Sequence, residues 1–351
     1  MTIKPTNIQY LDTLRTLATL GVITIHVTTP VLKMMYGRNM EFWWIGNSID
    51  SCVRFVIAVF LMLSGATMLR KDYKLGEFYI KRFMRVLLPF LFWLVVYWIY
   101  RWTNLSPEIQ PKEFYAIIQW AVNLFVTEGV SKHFWYIYMI LILYLFLPFL
   151  GKGLRKLSNS TIFIILMSWV LLNILFSNQI INTLNWGYFL QKTKDYFLYS
   201  GYFVVGYFLM NVSLKIQKYR FLNLAAFMAT ILFSAFATYF ASKNAHKLDM
   251  SFYGSLTVNT MIQSIALFLL VKDKTIKNRI MNWIISTISN YSYGIYLVHI
   301  MVISILFNHR IFWTMAYPLI SLPAIILLTL FLSFIIIFVL RKIPGGKYIA
   351  G

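Results

Sequence analysis

The sequence predicts an all-α, polytopic membrane helix bundle with about ten transmembrane helices and both the N- and C-termini cytoplasmic. Three observations carry that expectation. Sixty per cent of the residues are apolar and only 12% are charged, far from the balance of a soluble globular chain. Apolar runs long enough, or nearly so, to cross a hydrocarbon core of about 30 Å recur along the whole length. The basic residues gather in alternate connecting segments, the positive-inside pattern.

The elements follow in order. Apolar runs cover residues 11–31, 51–69, 86–102, 134–150 and 161–176, then 196–212, 221–241, 255–271, 288–306 and 317–340. Residues 113–127 are apolar but short and flanked by charge, so they predict an interfacial or re-entrant helix. With the N-terminus inside, Lys4 precedes the first run. Arg70, Lys71, Lys74, Lys81, Arg82 and Arg85 join the second to the third. Lys152, Arg155 and Lys156 follow the fourth; Lys215, Lys218 and Arg220 follow the sixth. Lys272, Lys274, Lys277 and Arg279 follow the eighth, and Arg341, Lys342 and Lys347 close the chain. Twenty Lys and Arg thus fall inside and 10 outside, with Arg15 and Arg54 within spans, while the outside segments hold seven of the eleven acids.

The net charge of +21 is spread through these short loops and forms no stripe suited to a nucleic-acid backbone. Cys52 is the sole cysteine, which excludes an intramolecular disulfide and argues against a Cys-based metal site; no metal is expected. The first run is too long and too polar-studded for a cleavable signal and reads as an uncleaved first span. No direct or inverted repeat is visible, which counts against the common transporter folds. Residues 1–351 read as one integral membrane domain without a separate soluble part, so any chemistry sits in the bundle or its short loops.

Chemistry-bearing residues stand out against this background because charge at membrane depth is costly. Asp12, Arg15 and His26 share the first span. Asp12 precedes Arg15 by three residues, within pairing distance on a helix. Arg15 and His26 are eleven residues apart, about three turns and roughly 16 Å along one helical face, so one long ligand can touch both. A neutral imidazole in a dry site is a good general base for a hydroxyl; the structural alternative has Arg15 snorkelling and His26 bonded to a neighbouring helix. Arg82 and Arg85 share a face at the cytoplasmic start of the third span, where arginine forks suit phosphate; they equally serve as positive-inside anchors. Arg54 enters the second span from its outer end and either binds a ligand, pairs with Asp50 one turn earlier, or snorkels. Ser64-Gly65 later in that span suits close helix packing. His133-Phe134-Trp135-Tyr136 opens the fourth span, and Tyr296 and His299 lie in the ninth. Trp and Tyr at a span's end also serve the interfacial belt, and His299 is either a core hydrogen-bonder or a second imidazole in the cavity of His26.

Taken together these segments resemble the acyltransferase-3 family of bacterial integral membrane acyltransferases. The resemblance rests on Tyr10-Leu11-Asp12-Thr13-Leu14-Arg15 followed by His26, the Phe60–Gly65 stretch, and Arg82, Arg85 and Pro89. It continues through His133-Phe134-Trp135-Tyr136-Ile137, with aromatic and aliphatic exchanges, and through Ser292, Gly294, Ile295, Tyr296 and His299. Five motifs appear in family order on the corresponding spans. The resemblance implies transfer of an acyl group, acetyl in the first instance, from cytoplasmic acyl-CoA to a hydroxyl of a cell-envelope glycan or lipid-linked sugar, in a bacterial inner membrane. It implies catalytic roles for His26 as general base with Arg15 and Asp12, donor contacts from Arg82, Arg85 and Arg54, and acceptor contacts from His133, Trp135, Tyr296 and His299. Acyl-CoA is the expected donor, and membrane lipid and a possible second copy of the chain are further partners. The competing reading is a transporter or flippase for a lipid-linked sugar with His26 as proton relay, and a third is a non-catalytic scaffold; binding of acyl-CoA separates the first from these.

Overall fold

A computed structural model describes residues 9–177, 188–212 and 219–351. It contains helices α1 (Gln9–Met35), α2 (Met40–Ser51), α3 (Val56–Met68), α4 (Leu75–Thr103), α5 (Phe114–Glu128) and α6 (Trp135–Leu154). These are followed by α7 (Asn159–Ser177), α8 (Tyr188–Asn211), α9 (Arg220–Asn244), α10 (Val258–Val271), α11 (Arg279–Asn308) and α12 (Pro318–Lys342), with no strand among the described residues. Nine stretches among them are long and apolar enough to cross a membrane, with α2 and α3 together forming one. The chain is a multi-pass, all-α membrane protein. The remaining expected span, residues 196–212, is the C-terminal part of α8, whose hydropathy is lowered by Lys194, Asp195 and several tyrosines. Lys4, Lys215 and Lys218, counted among the inner cations, lie outside the described residues.

The second span departs from the expected boundaries. The apolar run begins at Ser51, but the helical stretch begins at Met40 and breaks into tight turns over residues 52–55. The missed half, α2, carries Glu41, Asn47, Ser48, Asp50 and Ser51, a composition that reads as a loop. It is buried because its polar groups find partners inside: Asn47 donates to the Ala235 carbonyl at 3.0 Å, and Asp50 accepts from Thr28 Oγ1 at 2.6 Å. Asn39 caps its start by accepting the Phe42 N–H at 3.1 Å. Asp50 is therefore a buried residue of the bundle and not part of an outer loop.

The short apolar segment forms α5, whose 15 residues reach about 22 Å, short of a bilayer core. It stops at Gly129, whose φ of 66° allows the left-handed cap that binds the Leu124 and Phe125 carbonyls.

Helix α1 is the central strut, packed against α2, α3, α11 and α12. Its threonines help, since Thr19 and Thr24 return their hydroxyls to carbonyls of their own helix and leave no buried donor unsatisfied. Helix α8 lies tightly on α3. A side chain at Gly65 would run into the Phe203 carbonyl, and one at Gly206 into the Met62 carbonyl. The close approach expected of Ser64-Gly65 is thus a reciprocal glycine contact. After α12 the chain folds back over α4 and α11, where Trp93 Nε1 donates to the Ile349 carbonyl at 3.1 Å and Ala350 is fully buried.

Candidate active site

Two cavities flank the middle of α1. The larger, about 280 Å³, lies beside the first half of the helix, and Arg15, Arg82, Arg85 and Arg341 line it together with Tyr144 and Ser289. The smaller, about 130 Å³, lies beside the second half, and its wall includes His26, Arg54, His133, Trp135, Tyr253 and Ser255. Phe60, Tyr136 and Tyr296 border both. Beside them a slit lined by Thr19, Val22, Ile295 and His299 is too narrow to hold a water.

Arg15 is held where the sequence suggests. Its Nη1 donates to Asp12 Oδ1 at 3.1 Å and to Ser289 Oγ at 2.8 Å, and Ser289 in turn donates to the same Asp12 oxygen at 2.6 Å. This closed triangle ties α1 to α11 and aims the guanidinium at the larger cavity. Thr16 strengthens the seam by donating to the Ile285 carbonyl at 2.9 Å. Arg82 and Arg85 project from the first half of α4 into that cavity, as their shared face requires. Four arginines line it, and Asp12, which pairs with Arg15, is not itself among the lining residues, so the lining carries a net positive charge suited to a polyanion.

Arg54 stands apart from these. The family resemblance implies a donor contact for it, and it lines the smaller cavity with His26. It takes one of the alternatives left open by the sequence. It is paired with Asp50 one turn earlier, and it borders the cavity while its guanidinium sits 3.8 Å over the Tyr253 ring. Asp50 is held by Thr28, and the Tyr253 hydroxyl by Ser51 and Asn47. Arg54 Nε is buried and makes no hydrogen bond among the described residues. Because Asp50 neutralises Arg54, this cavity is close to electroneutral and its walls are largely aromatic and apolar.

The histidines come together more closely than their separation in the chain suggests. The ring of His299 lies 5.2 Å from that of His26 and 5.2 Å from that of His133, and His26 and His133 are 6.5 Å apart. His133 sits on a short 3-10 turn, Lys132–Phe134, with Nδ1 at 2.8 Å from Ser131 Oγ. Tyr296 donates its hydroxyl to the His133 carbonyl, and His299 Nδ1 lies 2.7 Å from the Tyr296 carbonyl. Trp135 lines the smaller cavity and packs against Tyr199, their rings 5.7 Å apart. Among the described residues no three His, Cys, Asp or Glu side chains are arranged to hold a metal ion.

Sequence reasoning passed over Ser289 and Tyr253, named Tyr136 only within the motif that opens the fourth span, and gave Arg341 no part in the site. Ser289 and Tyr253 complete the settings of Arg15 and Arg54 but are ordinary polar residues in the chain. Arg341 reads as an inner-side anchor, whereas it donates to the Asn290 carbonyl at 3.0 Å and lies 4.1 Å over the Tyr291 ring at the cavity rim.

No curated protein and no solved structure matches the chain. A family model described as an acyltransferase domain matches residues 8–342, which include α1 with its Arg15 and His26, the lining of the smaller cavity, that of the larger apart from Gly351, and the whole of α12. The chain belongs to the acyltransferase-3 family.

Proposed function

We propose that this protein takes an acetyl or similarly short acyl group from cytoplasmic acyl-CoA and transfers it to a hydroxyl of a cell-envelope glycan, in the inner membrane of a bacterium. The observation that carries the reading is the pair of unlike cavities on α1, one with four arginines and one nearly neutral, sharing the wall of Phe60, Tyr136 and Tyr296. The CoA phosphates bind Arg82 and Arg85 by bidentate, charge-assisted hydrogen bonds, and Arg15 and Arg341 extend the same surface. The pantetheine arm passes the shared aromatic wall, whose side chains turn aside to admit it, and brings the thioester to His26. The glycan enters the smaller cavity from the opposite end, where Trp135 and Tyr253 offer flat rings to a sugar face.

His26 then acts as general base, a role that typically contributes about 10²- to 10⁴-fold. It accepts the proton of the acceptor hydroxyl as that oxygen attacks the thioester carbonyl. The buried guanidinium of Arg54 stabilises the charge that develops on the carbonyl oxygen. The C–S bond breaks, and the CoA thiolate recovers the proton from His26. Asp12 and Ser289 hold Arg15 in place throughout.

Within the family, His26-Val27-Thr28-Thr29 and the placement of Arg54 ahead of Ser64-Gly65 resemble the O-acetyltransferase of enterobacterial common antigen. That likeness supports acetyl as the group and an envelope sugar as the acceptor. The test is transfer from labelled acetyl-CoA to envelope glycan by membranes carrying the wild type or His26→Ala, with mass spectrometry of the glycan from a deletion strain. Label appears in glycan with the wild type and not with His26→Ala, and the deletion strain loses the mass of one acyl group. Undiminished transfer by correctly inserted His26→Ala overturns the reading.

A further inference from the structure

His299 is fully buried on α11 and lies two-thirds of the way along a helix otherwise dominated by apolar and small residues. Its Nδ1 is 2.7 Å from the Tyr296 carbonyl, which can only accept, so Nδ1 carries the proton of the neutral ring. Nε2 is therefore a bare lone pair. It is buried and no donor among the described residues satisfies it. An unsatisfied acceptor at that depth is costly and calls for a purpose.

The ring facing it is His26. Their centroids are 5.2 Å apart and their planes inclined at 49°. A direct imidazole N–H···N bond of about 2.9 Å places two ring centres about 5 Å apart, so the present spacing already fits one and only the ring orientations differ. His133 flanks the pair at 5.2 Å from His299 and its Nε2 is also without a partner among the described residues, but its Nδ1 faces a serine hydroxyl whose proton can point either way, so its tautomer is not dictated.

We infer that His299 is the positioning residue of His26: its Nε2 accepts the N–H of His26 and so directs the opposite nitrogen's lone pair at the acceptor hydroxyl. This rests on the general-base role of His26 proposed above. The fixed polarity runs from the Tyr296 carbonyl through His299 to His26, each group holding the next in one tautomer. During transfer the acceptor O–H bond breaks and its proton moves to His26 as the C–O bond forms. The same proton leaves with CoA as the C–S bond breaks. His299 gains and loses no proton; its lone pair stabilises the transient His26 imidazolium. A neutral imidazole here does the orienting work that a carboxylate does in many hydrolases, without placing an uncompensated anion in lipid.

The test uses the full-length protein in lipid nanodiscs, with acetyl-CoA as donor and extracted envelope glycan as acceptor. His299→Gln keeps an acceptor oxygen near the place of Nε2, whereas His299→Asn is too short to reach it and His299→Leu has none. Expected is a fall in kcat of about 10- to 10²-fold for the Asn and Leu variants, a part of the general-base contribution. KM for acetyl-CoA stays within about twofold and His299→Gln recovers most of kcat, which a merely structural role would not produce. Wild-type kcat in His299→Asn, or equal rates for the Asn and Gln variants, overturns the inference even if the Leu variant fails to fold. His26→Ala run alongside separates the two readings. If it retains transfer, the general-base proposal falls; if it is inactive while His299→Asn is normal, only the positioning role falls.

Discussion

Arg15 and His26 lie on one face of α1, yet they open into different cavities, Arg15 into the one lined by arginines and His26 into the nearly neutral one. On the proposed reading the two side chains serve two ends of one reaction. Substitution should separate them kinetically. Arg15→Ala, or Arg82→Ala with Arg85→Ala, should raise KM for acetyl-CoA by about 10-fold or more, since charge-assisted bonds to an anion are worth about 1.5–3 kcal/mol each. His26→Ala should leave acetyl-CoA affinity near wild type and abolish turnover. Steady-state kinetics with isothermal titration of CoA checks both, and parallel loss of affinity in all variants would contradict the division.

The shared aromatic wall separates the cavities, and on the proposed reading the acyl group crosses it. Phe60→Trp crowds it and should lower transfer while leaving CoA affinity unchanged, since the proposal has the donor phosphates bind on the near side. Phe60→Ala widens it and should raise the relative rate with a longer acyl-CoA such as butyryl-CoA. Competition between acetyl- and butyryl-CoA in one assay reads the ratio, and an unchanged ratio in Phe60→Ala would show that acyl length is controlled elsewhere.

What was legible in the sequence was local. Asp12 with Arg15, Arg82 with Arg85 and Asp50 with Arg54 are pairs three or four residues apart, and helical geometry alone puts such pairs side by side. The cluster of His26, His133 and His299 was not legible in the same way, because three segments more than 100 residues apart supply it. Helix α2 was missed for a physical reason. Its polar side chains are satisfied by distant partners such as Ala235, Thr28 and Tyr253, and no window of sequence reveals that those partners will be there. The unlike charge of the cavities was half legible: the arginines could be counted, but the neutralisation of Arg54 by a buried Asp50 depended on α2 being inside the bundle.

That neutralisation makes Asp50 a residue on which stability depends. Its side chain is fully buried, and that of Arg54 is 9% exposed. Asp50→Asn strands the guanidinium charge and should cost about 3–5 kcal/mol, the usual penalty for removing one partner of a buried pair. Asp50→Asn combined with Arg54→Met removes both charges and should recover much of that loss without restoring transfer. Thermal unfolding in detergent across the four members of this cycle gives the coupling. Additive losses would show that the two residues do not interact.

Asp249 connects pH to the same site from outside the spans. Its carboxylate accepts the Ser251 N–H at 2.8 Å, and this bond holds its pKa below the ordinary carboxylate value. The bond fixes the turn Ser251–Tyr253 that carries Tyr253 beneath Arg54. A carboxyl with a lowered folded pKa contributes stability above its unfolded pKa of about 3.9 and loses it as the pH falls through the folded value. The order of this turn should therefore be independent of pH near neutrality and decline only in acid, and in Asp249→Asn that acid-dependent step should disappear. Hydrogen exchange at the Ser251 amide between pH 3 and pH 6, corrected for intrinsic exchange, measures it, and an identical pH dependence in the Asn variant would mean that another group controls the turn.

The contact of α3 with α8 sets how much the site can tolerate. Gly65 faces the Phe203 backbone and Gly206 the Met62 backbone, so an added methyl at either meets rigid main chain, not a side chain able to turn away. Gly65→Ala or Gly206→Ala should push the helices apart at a cost of about 1–3 kcal/mol, as overpacking of tight cores usually does. Phe60 and Ser64 lie on the same helix and line the cavities, so the shift should also reach the site. By contrast Gly153, with open space around it, should accept alanine without effect. Thermal unfolding and acetyl transfer measured on the three variants test this directly: a lowered Tm with slowed transfer for positions 65 and 206, and wild-type behaviour at 153. If Gly153→Ala proved as damaging as the other two, the losses would reflect altered helix propensity and not the fit of α8 against α3.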